Sequence, residues 1–291
     1  MVLATFLLIV AGGLVTSTGS GLSVPDWPLS YGQAFPPMIG GIRFEHSHRM
    51  IAGVVGLMTF VMAALLFKYE KRVWIKNLGF LAVAAILLQA GLGGLTVIYL
   101  LPTWISVIHA CLAQTFFCLV LSIAYATSDE WQNEASLIRD DSGVSFPPEA
   151  DPLRAEKRLA CITVVFIYIQ LVVGAVVRHA GGGMIKIHYF FAFLVALHVL
   201  LLILKTSRAQ LFNKALFGHA AILGALVTAQ IFLGLGAFVF KQALEPAPTP
   251  RAAEILFTAA HQSNGALVLA AGALFVLRTF RMAYQVHGNW N

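Results

Sequence analysis

The sequence predicts an all-α integral membrane protein, with eight transmembrane helices arranged as two pseudo-symmetric four-helix bundles in a parallel repeat. Three observations carry this expectation. Of 291 residues, 59% are hydrophobic and only 11% charged, with a mean hydropathy of +0.82, whereas a soluble domain carries about a quarter charged residues. Apolar stretches near the roughly 20 residues that span a bilayer recur eight times, without the polar alternation of a barrel. Finally, residues of the first half return in the second at similar offsets.

The stretches lie at about 1–17, 50–68, 74–98, 104–127, 159–178, 186–205, 214–240 and 255–280. The first starts at Met1 without a basic flank, so no cleavable signal is read. It is also short for a span, which suggests that a few preceding residues are missing. The second follows Glu45-His46-Ser47-His48-Arg49, and the third carries Gln89, Gly91, Gly93 and Gly94. His109 opens the fourth, His188 the sixth and His261 the eighth, while the seventh carries Gln230, Gly234 and Gly236. Between the fourth and fifth, residues 128–158 form the one sizeable polar segment, with eight acidic residues and Pro147, Pro148 and Pro152. It reads as a cytoplasmic linker between a bundle at 1–127 and a bundle at 159–291, with no catalytic role of its own.

The net charge of +6 gives no reason to expect nucleic acid. Thirteen of the 19 Lys and Arg residues fall in one alternate set of loops and at the C-terminal end, and six in the other. By the positive-inside rule, both termini face the cytoplasm and the four segment-opening histidines lie near the outer face. Cys111, Cys118 and Cys161 all sit inside apolar segments, where free cysteine packs as a small hydrophobe; no disulfide is expected.

The repeat is legible in particular residues. Ala11-Gly12-Gly13-Leu14-Val15-Thr16 matches Val173-Gly174-Ala175-Val176-Val177-Arg178. His48 pairs with His188 at an offset of 140, Gln89 with Gln230 at 141 and His109 with His261 at 152. A longer connection at about 241–254 than at 99–103 accounts for the drift, and the first outer loop, about 18–47, far exceeds its counterpart at about 179–186. Four helices per unit give both halves the same orientation. The glycines of the third and seventh segments serve either close helix contacts or room for a flat porphyrin.

Cofactor sites in four-helix bundles are built from facing helices, and neutral imidazole is a common iron ligand. A lone histidine at a helix end is ordinarily structural, but His48 with His109, and His188 with His261, stand in matched register. Two ligand pairs at one face suggest two bound haems. Closed zinc sites want four ligands, and each half offers two strong candidates. For His46, His179, His198 and His219 the structural reading is favoured, with proton movement at the mouth as the alternative for His46, and His287 in the tail is uninformative.

Glu45 precedes His48 by three positions and Arg49 by four, so one helix face can hold all three. It is either an N-terminal carboxylate favoured by the helix dipole and paired with Arg49, or a proton acceptor beside a ligated iron. The second half has Lys186 and no acid there. Trp27 and Tyr31 in the long loop read as interfacial anchors or as a lid over a hydrophobic substrate. Arg49, Arg178 and Lys186 suit haem propionates or outer-surface lipids.

On these residues the chain resembles the haem A synthase family. The resemblance runs through Gly12-Gly13-Leu14-Val15-Thr16-Ser17-Thr18-Gly19-Ser20-Gly21-Leu22-Ser23, Pro25-Asp26-Trp27-Pro28, the Glu-x-x-His-Arg motif at Glu45–Arg49, and His109, His188 and His261, and it covers nearly the whole chain. It implies an oxidoreductase that converts the C8 methyl of haem O to a formyl group by successive hydroxylations, giving haem A for terminal oxidases. It implies a substrate haem between His48 and His109, resident haem b between His188 and His261, and assistance from Glu45 at the methyl carbon. Haem O synthase as donor, an electron acceptor of unspecified class, the bilayer of a bacterial-type cytoplasmic membrane and a homo-oligomer are the partners considered. Thr16 stands where many relatives carry arginine, a place Arg178 fills in the second repeat. The cysteine pair that some bacterial relatives carry in the first outer loop is missing here. The competing readings are a dihaem b-type cytochrome that passes electrons without modifying haem, and a transporter. The latter would need polar groups at the midplane, where Gln89, Gln230 and His198 are almost all there is.

Overall fold

A computed structural model of the chain describes residues 1–132, 153–208, 213–244 and 248–286. Its regular elements are helices: α1 (Val2–Ser17), α2 (Ile42–Tyr69), α3 (Val73–Ile98), α4 (Thr103–Ala126), α5 (Arg154–His179), α6 (Ile185–Arg208), α7 (Asn213–Phe238) and α8 (Ala252–Val286). A π-helical turn, Val239–Ala243, continues α7. The seven helices from α2 to α8 are long and apolar enough to cross a membrane, and α1 is a shorter apolar helix of 16 residues. At 1.5 Å per residue α1 is about 24 Å long. The chain is a multi-pass helical membrane protein.

Three helix boundaries differ from the apolar stretches, each for a physical reason. α2 begins at Ile42, because its polar first turns are covered by the loop before it: Glu45 and His46 are buried. α5 begins at Arg154, so the last residues of the expected 128–158 linker are helical; Lys205 on α6 pairs with Glu156 at 3.4 Å. α8 runs for 35 residues, to Val286, beyond the lipid-length requirement, and buried Arg278 on it approaches His219 Nε2 at 2.7 Å. The linker residues 133–152 and His287 lie outside the described residues.

Packing follows a closed ring in each half: α1 touches α2 and α4, and α3 touches α2 and α4, while α5 touches α6 and α8, and α7 touches α6 and α8. One core joins Val55, Ala82, Ile86, Phe116, Val120 and Ile123, and a larger one includes Ile167, Val199, Leu202, Leu223 and Phe275. The halves meet through α1–α8, α4–α5 and α4–α8, with Ile9, Phe117, Ala266 and Ala270 forming one seam and Val107, Cys111 and Val176 another. Outward faces carry Leu57, Phe67, Leu88, Phe193 and Phe232, each at least half exposed, as lipid contact requires.

Polar chemistry is concentrated in the connections. The Glu70 carboxylate accepts from the Lys71 and Arg72 amides and from the Arg72 guanidinium, whose side-chain bonds, foremost, hold its pKa down at about 2. Arg72 also donates to the Ala126 carbonyl at 3.0 Å, tying this turn to the end of α4. At the opposite end, Leu100 and Leu101 have φ of 57° and 60°, a conformation costing non-glycine residues roughly 1–2 kcal/mol each. The Leu101 amide caps α3 on the Thr96 carbonyl at 2.7 Å.

Candidate functional site

Each of the four segment-opening histidines rests on a glycine of the preceding helix. A methyl group built on Gly12 (α1) would stand 3.1 Å from Cε1 of His48 (α2), and one on Gly93 (α3) 3.3 Å from Cε1 of His109 (α4). The second half repeats this: Gly174 (α5) and His188 (α6) at 3.0 Å, Gly234 (α7) and His261 (α8) at 2.8 Å. One relation thus occurs four times, always from an odd helix to the next even one. Gly94 faces the Trp27 ring and Gly236 the Phe257 ring, whereas Gly91 faces open space. Gly93 and Gly234 therefore make room for histidine rings.

The geometry brings His188 and His261 together. His188 and His261 have ring centroids 6.2 Å apart at 68°. Two imidazoles on opposite sides of one iron give about 6 Å, from metal–nitrogen bonds of about 2 Å plus roughly 1 Å from each nitrogen to its ring centre. His48 stands on α2 and His109 on α4, and both helices pack against α1 and α3. Gln89 Nε2 lies 3.4 Å from His109 Nε2, Gln170 Nε2 3.2 Å from His188 Nε2, and Gln230 Nε2 3.3 Å from His261 Nε2. Gln170 is a residue that sequence reasoning missed; the clue was its place four residues before Gly174.

The rings of His46, His198 and His219 have ordinary structural partners. His46 Nδ1 meets Ser30 Oγ at 2.8 Å, both groups buried, and fastens the first outer loop. His198 Nδ1 donates to the Leu194 carbonyl at 2.8 Å, and its ring packs edge-on to Phe166. His179 ends α5, its carbonyl 3.5 Å from Thr103 Oγ1. By contrast, Nδ1 of His48, His109 and His188 is buried without a partner. A buried structural imidazole normally satisfies its nitrogens, and these three do not.

Glu45 is 4% exposed and fully engaged. Its Oε1 pairs with Arg49 at 2.6 Å, and its Oε2 accepts the Val24 amide at 2.9 Å. Arg49 also donates to the Asp26 and Leu29 carbonyls, both at 2.7 Å. The Asp26 carboxylate accepts the Tyr31 and Gly32 amides, and the Gly32 bond, foremost, holds its pKa below the ordinary value. Loop residues 18–41 are thereby strapped over the start of α2. Arg178 reaches between the halves, donating to the Gly13 carbonyl, Ser17 Oγ and the Thr258 carbonyl at 2.8–3.1 Å. Lys186 is exposed in the first turn of α6.

The donor set fits haem. Each half offers two imidazoles, nitrogen donors of the kind that would hold haem iron. Among the described residues no three His, Cys, Asp or Glu side chains gather as a metal-binding group, so a closed zinc site lacks its ligands. The glycine seats are features of rings positioned for a ligand.

A family model described as cytochrome oxidase assembly protein (COX15-CtaA) matches residues 1–40 and 42–187. The chain belongs to that family. The matched span holds Glu45, His48 and His109, while His188 and His261 lie beyond it. Relatives named heme A synthase include one from Bacillus pumilus, 30% identical over 192 residues, covering 63% of this chain and 59% of the relative. Another, from Exiguobacterium sibiricum, is 30% identical over 180 residues, covering 60% and 56%. One from Alkalihalophilus pseudofirmus is 24% identical over 266 residues, covering 82% and 85%. The chain thus spans somewhat under three-fifths of the length of the first two relatives in its matches.

Proposed function

We propose that this chain is a haem A synthase, an oxidoreductase that converts the C8 methyl of haem O to the formyl of haem A. The observation that carries the reading is the pairing of His188 with His261 at 6.2 Å, on glycine seats that recur around His48 and His109. Family membership and the relatives' names support it. His48 and His109 hold the substrate haem, and His188 and His261 hold a resident haem b, which supplies electron transfer when bound. Glu45, three residues before His48, accepts protons at the reacting carbon. The loop carrying Trp27 and Tyr31 covers the first-half site, and Arg49, Arg178 and Lys186 bear the charge that faces propionates. Two four-helix units, 1–127 and 159–291, form a parallel repeat of eight spans joined by 128–158; the matching contact rings and the paired α1–α8 and α4–α5 seams support this arrangement. Both termini are cytoplasmic, in a bacterial-type cytoplasmic membrane, with the haem sites toward the outer face.

One observation favours a second reading, a dihaem b-type cytochrome: both Glu45 oxygens are bonded to the loop and Arg49. Co-expression with a haem O-producing enzyme, followed by haem extraction and mass identification, decides between them. Haem A appearing only when this chain is present is the expected result. Haem O persisting unchanged beside bound haem b would establish the cytochrome.

A further inference from the structure

On three helices a glutamine stands one turn before the glycine that seats a histidine: Gln89 and Gly93, Gln170 and Gly174, Gln230 and Gly234. Four residues apart, the two lie on one helix face. The glycine admits the ring, and the amide meets its Nε2 at 3.4, 3.2 and 3.3 Å respectively. An amide nitrogen only donates, so Nε2 accepts with its lone pair and the ring proton is held on Nδ1. This is the tautomer that an Nε2 ligand needs. Gln89 and Gln230 also donate to the backbone carbonyl of their histidine, each at 3.0 Å. The second half adds further support: Asn264 donates to Gln230 Oε1 at 2.7 Å, and the Gln230 carbonyl lies 3.2 Å from His261 Nδ1.

α1 breaks the pattern. Four residues before Gly12 stands Leu8, an apolar side chain with no amide to offer. The seat of His48 on Gly12 therefore has no counterpart of the glutamine that the other three seats carry. We propose that the Gln-x-x-x-Gly cradle sets how firmly each histidine holds iron, and that its absence on α1 makes His48 the yielding ligand, so that porphyrin exchanges in the first half and stays in the second. The inference rests on the histidine pairs holding haem. Gln89, Gln170 and Gln230 are positioning residues: they present the rings rather than react. The bonds they make to Nε2 are long and easily displaced, while those of Gln89 and Gln230 to the histidine backbone carbonyls are independent of that nitrogen. Outer-shell partners of metal-bound histidines are typically worth 10–100-fold in affinity.

The test loads the purified full chain with iron protoporphyrin IX and follows its transfer to excess apomyoglobin by absorbance. The wild type should release porphyrin in a fast and a slow phase. Gln230→Leu, which removes an amide that also holds the His261 backbone carbonyl, should accelerate the slow phase about 10–100-fold and shift its ferric spectrum from low spin toward high spin, leaving the fast phase alone. Leu8→Gln should slow the fast phase by a comparable factor. If either variant fails to fold, the other still decides. Both phases unchanged within about twofold in the variants that fold would overturn the cradle, given typical outer-shell effects. His48→Ala and His188→Ala separate the two levels of the argument. If neither removes a phase, the haem-pair reading itself fails; if each removes its own phase while the cradle variants move nothing, only the cradle fails.

Discussion

At the scale of single residues, the tightest of the four histidine seats is the contact between Gly234 and His261. A Cβ there would stand 2.8 Å from Cε1, against 3.0 Å at Gly174, 3.1 Å at Gly12 and 3.3 Å at Gly93. Overpacking of this kind costs about 1–3 kcal/mol, and here the strain falls on the ring that would bind iron. Gly234→Ala should therefore deplete second-half haem most, and Gly93→Ala should be tolerated best. Haem per mole of protein, measured by reduced-pigment absorbance in helical, membrane-inserted variants, ranks them; equal haem content across the four would remove the seating argument. Glu45 supports a second prediction. Glu45→Gln keeps an oxygen for the Val24 amide but loses the proton acceptor, so haem O conversion should fall about 10²–10⁴-fold with haem b retained. Normal conversion would assign Glu45 to loop anchoring alone.

At the scale of elements, hydropathy read the middles of the helices well and their ends poorly. The apolar stretch at 50–68 gave the body of α2 but not its start at Ile42, because Glu45, His46 and Arg49 are polar yet satisfied by the loop above them. No hydropathy window registers such partners. Gln170 escaped notice for a related reason: its role depends on His188, on another helix, and its first-half counterpart, Leu8, shares none of its chemistry. The loop itself has a pH signature. Asp26 has its pKa lowered in the folded state, chiefly by the Gly32 amide. Its contribution is therefore full above the unfolded carboxylate value, about 3.9, and is lost as pH falls through the lower folded value. Acidification through and below the ordinary carboxylate range should lower the hydrogen-exchange protection of the Tyr31 and Gly32 amides before that of the helices. Asp26→Asn should show the same loosening at neutral pH. Protection of these two amides that stays constant under both changes would exclude this anchor.

At the scale of the whole molecule, two kinds of sequence information bear on how the chain sits in the membrane. Offsets of 140 to 152 between matched histidines raise the expectation of a doubled unit, and helix contacts form one ring among α1–α4 and another among α5–α8. Orientation rests on charge alone, thirteen basic residues in one set of loops against six in the other, since helix packing is indifferent to which side is cytoplasmic. The turn holding Lys71 belongs to the basic set, and the loop holding Ala34 to the other; both residues are exposed. The cysteines already present, Cys111, Cys118 and Cys161, lie inside spans and are at most partly exposed, so background labelling should be low. A membrane-impermeant maleimide applied to intact cells should modify Ala34→Cys and spare Lys71→Cys until the membrane is opened. The reverse pattern would turn the molecule over and put the histidine pairs near the cytoplasmic face. A substrate haem would then reach His48 and His109 from the opposite leaflet, and the loop strapped by Glu45, Arg49 and Asp26 would face the cytoplasm.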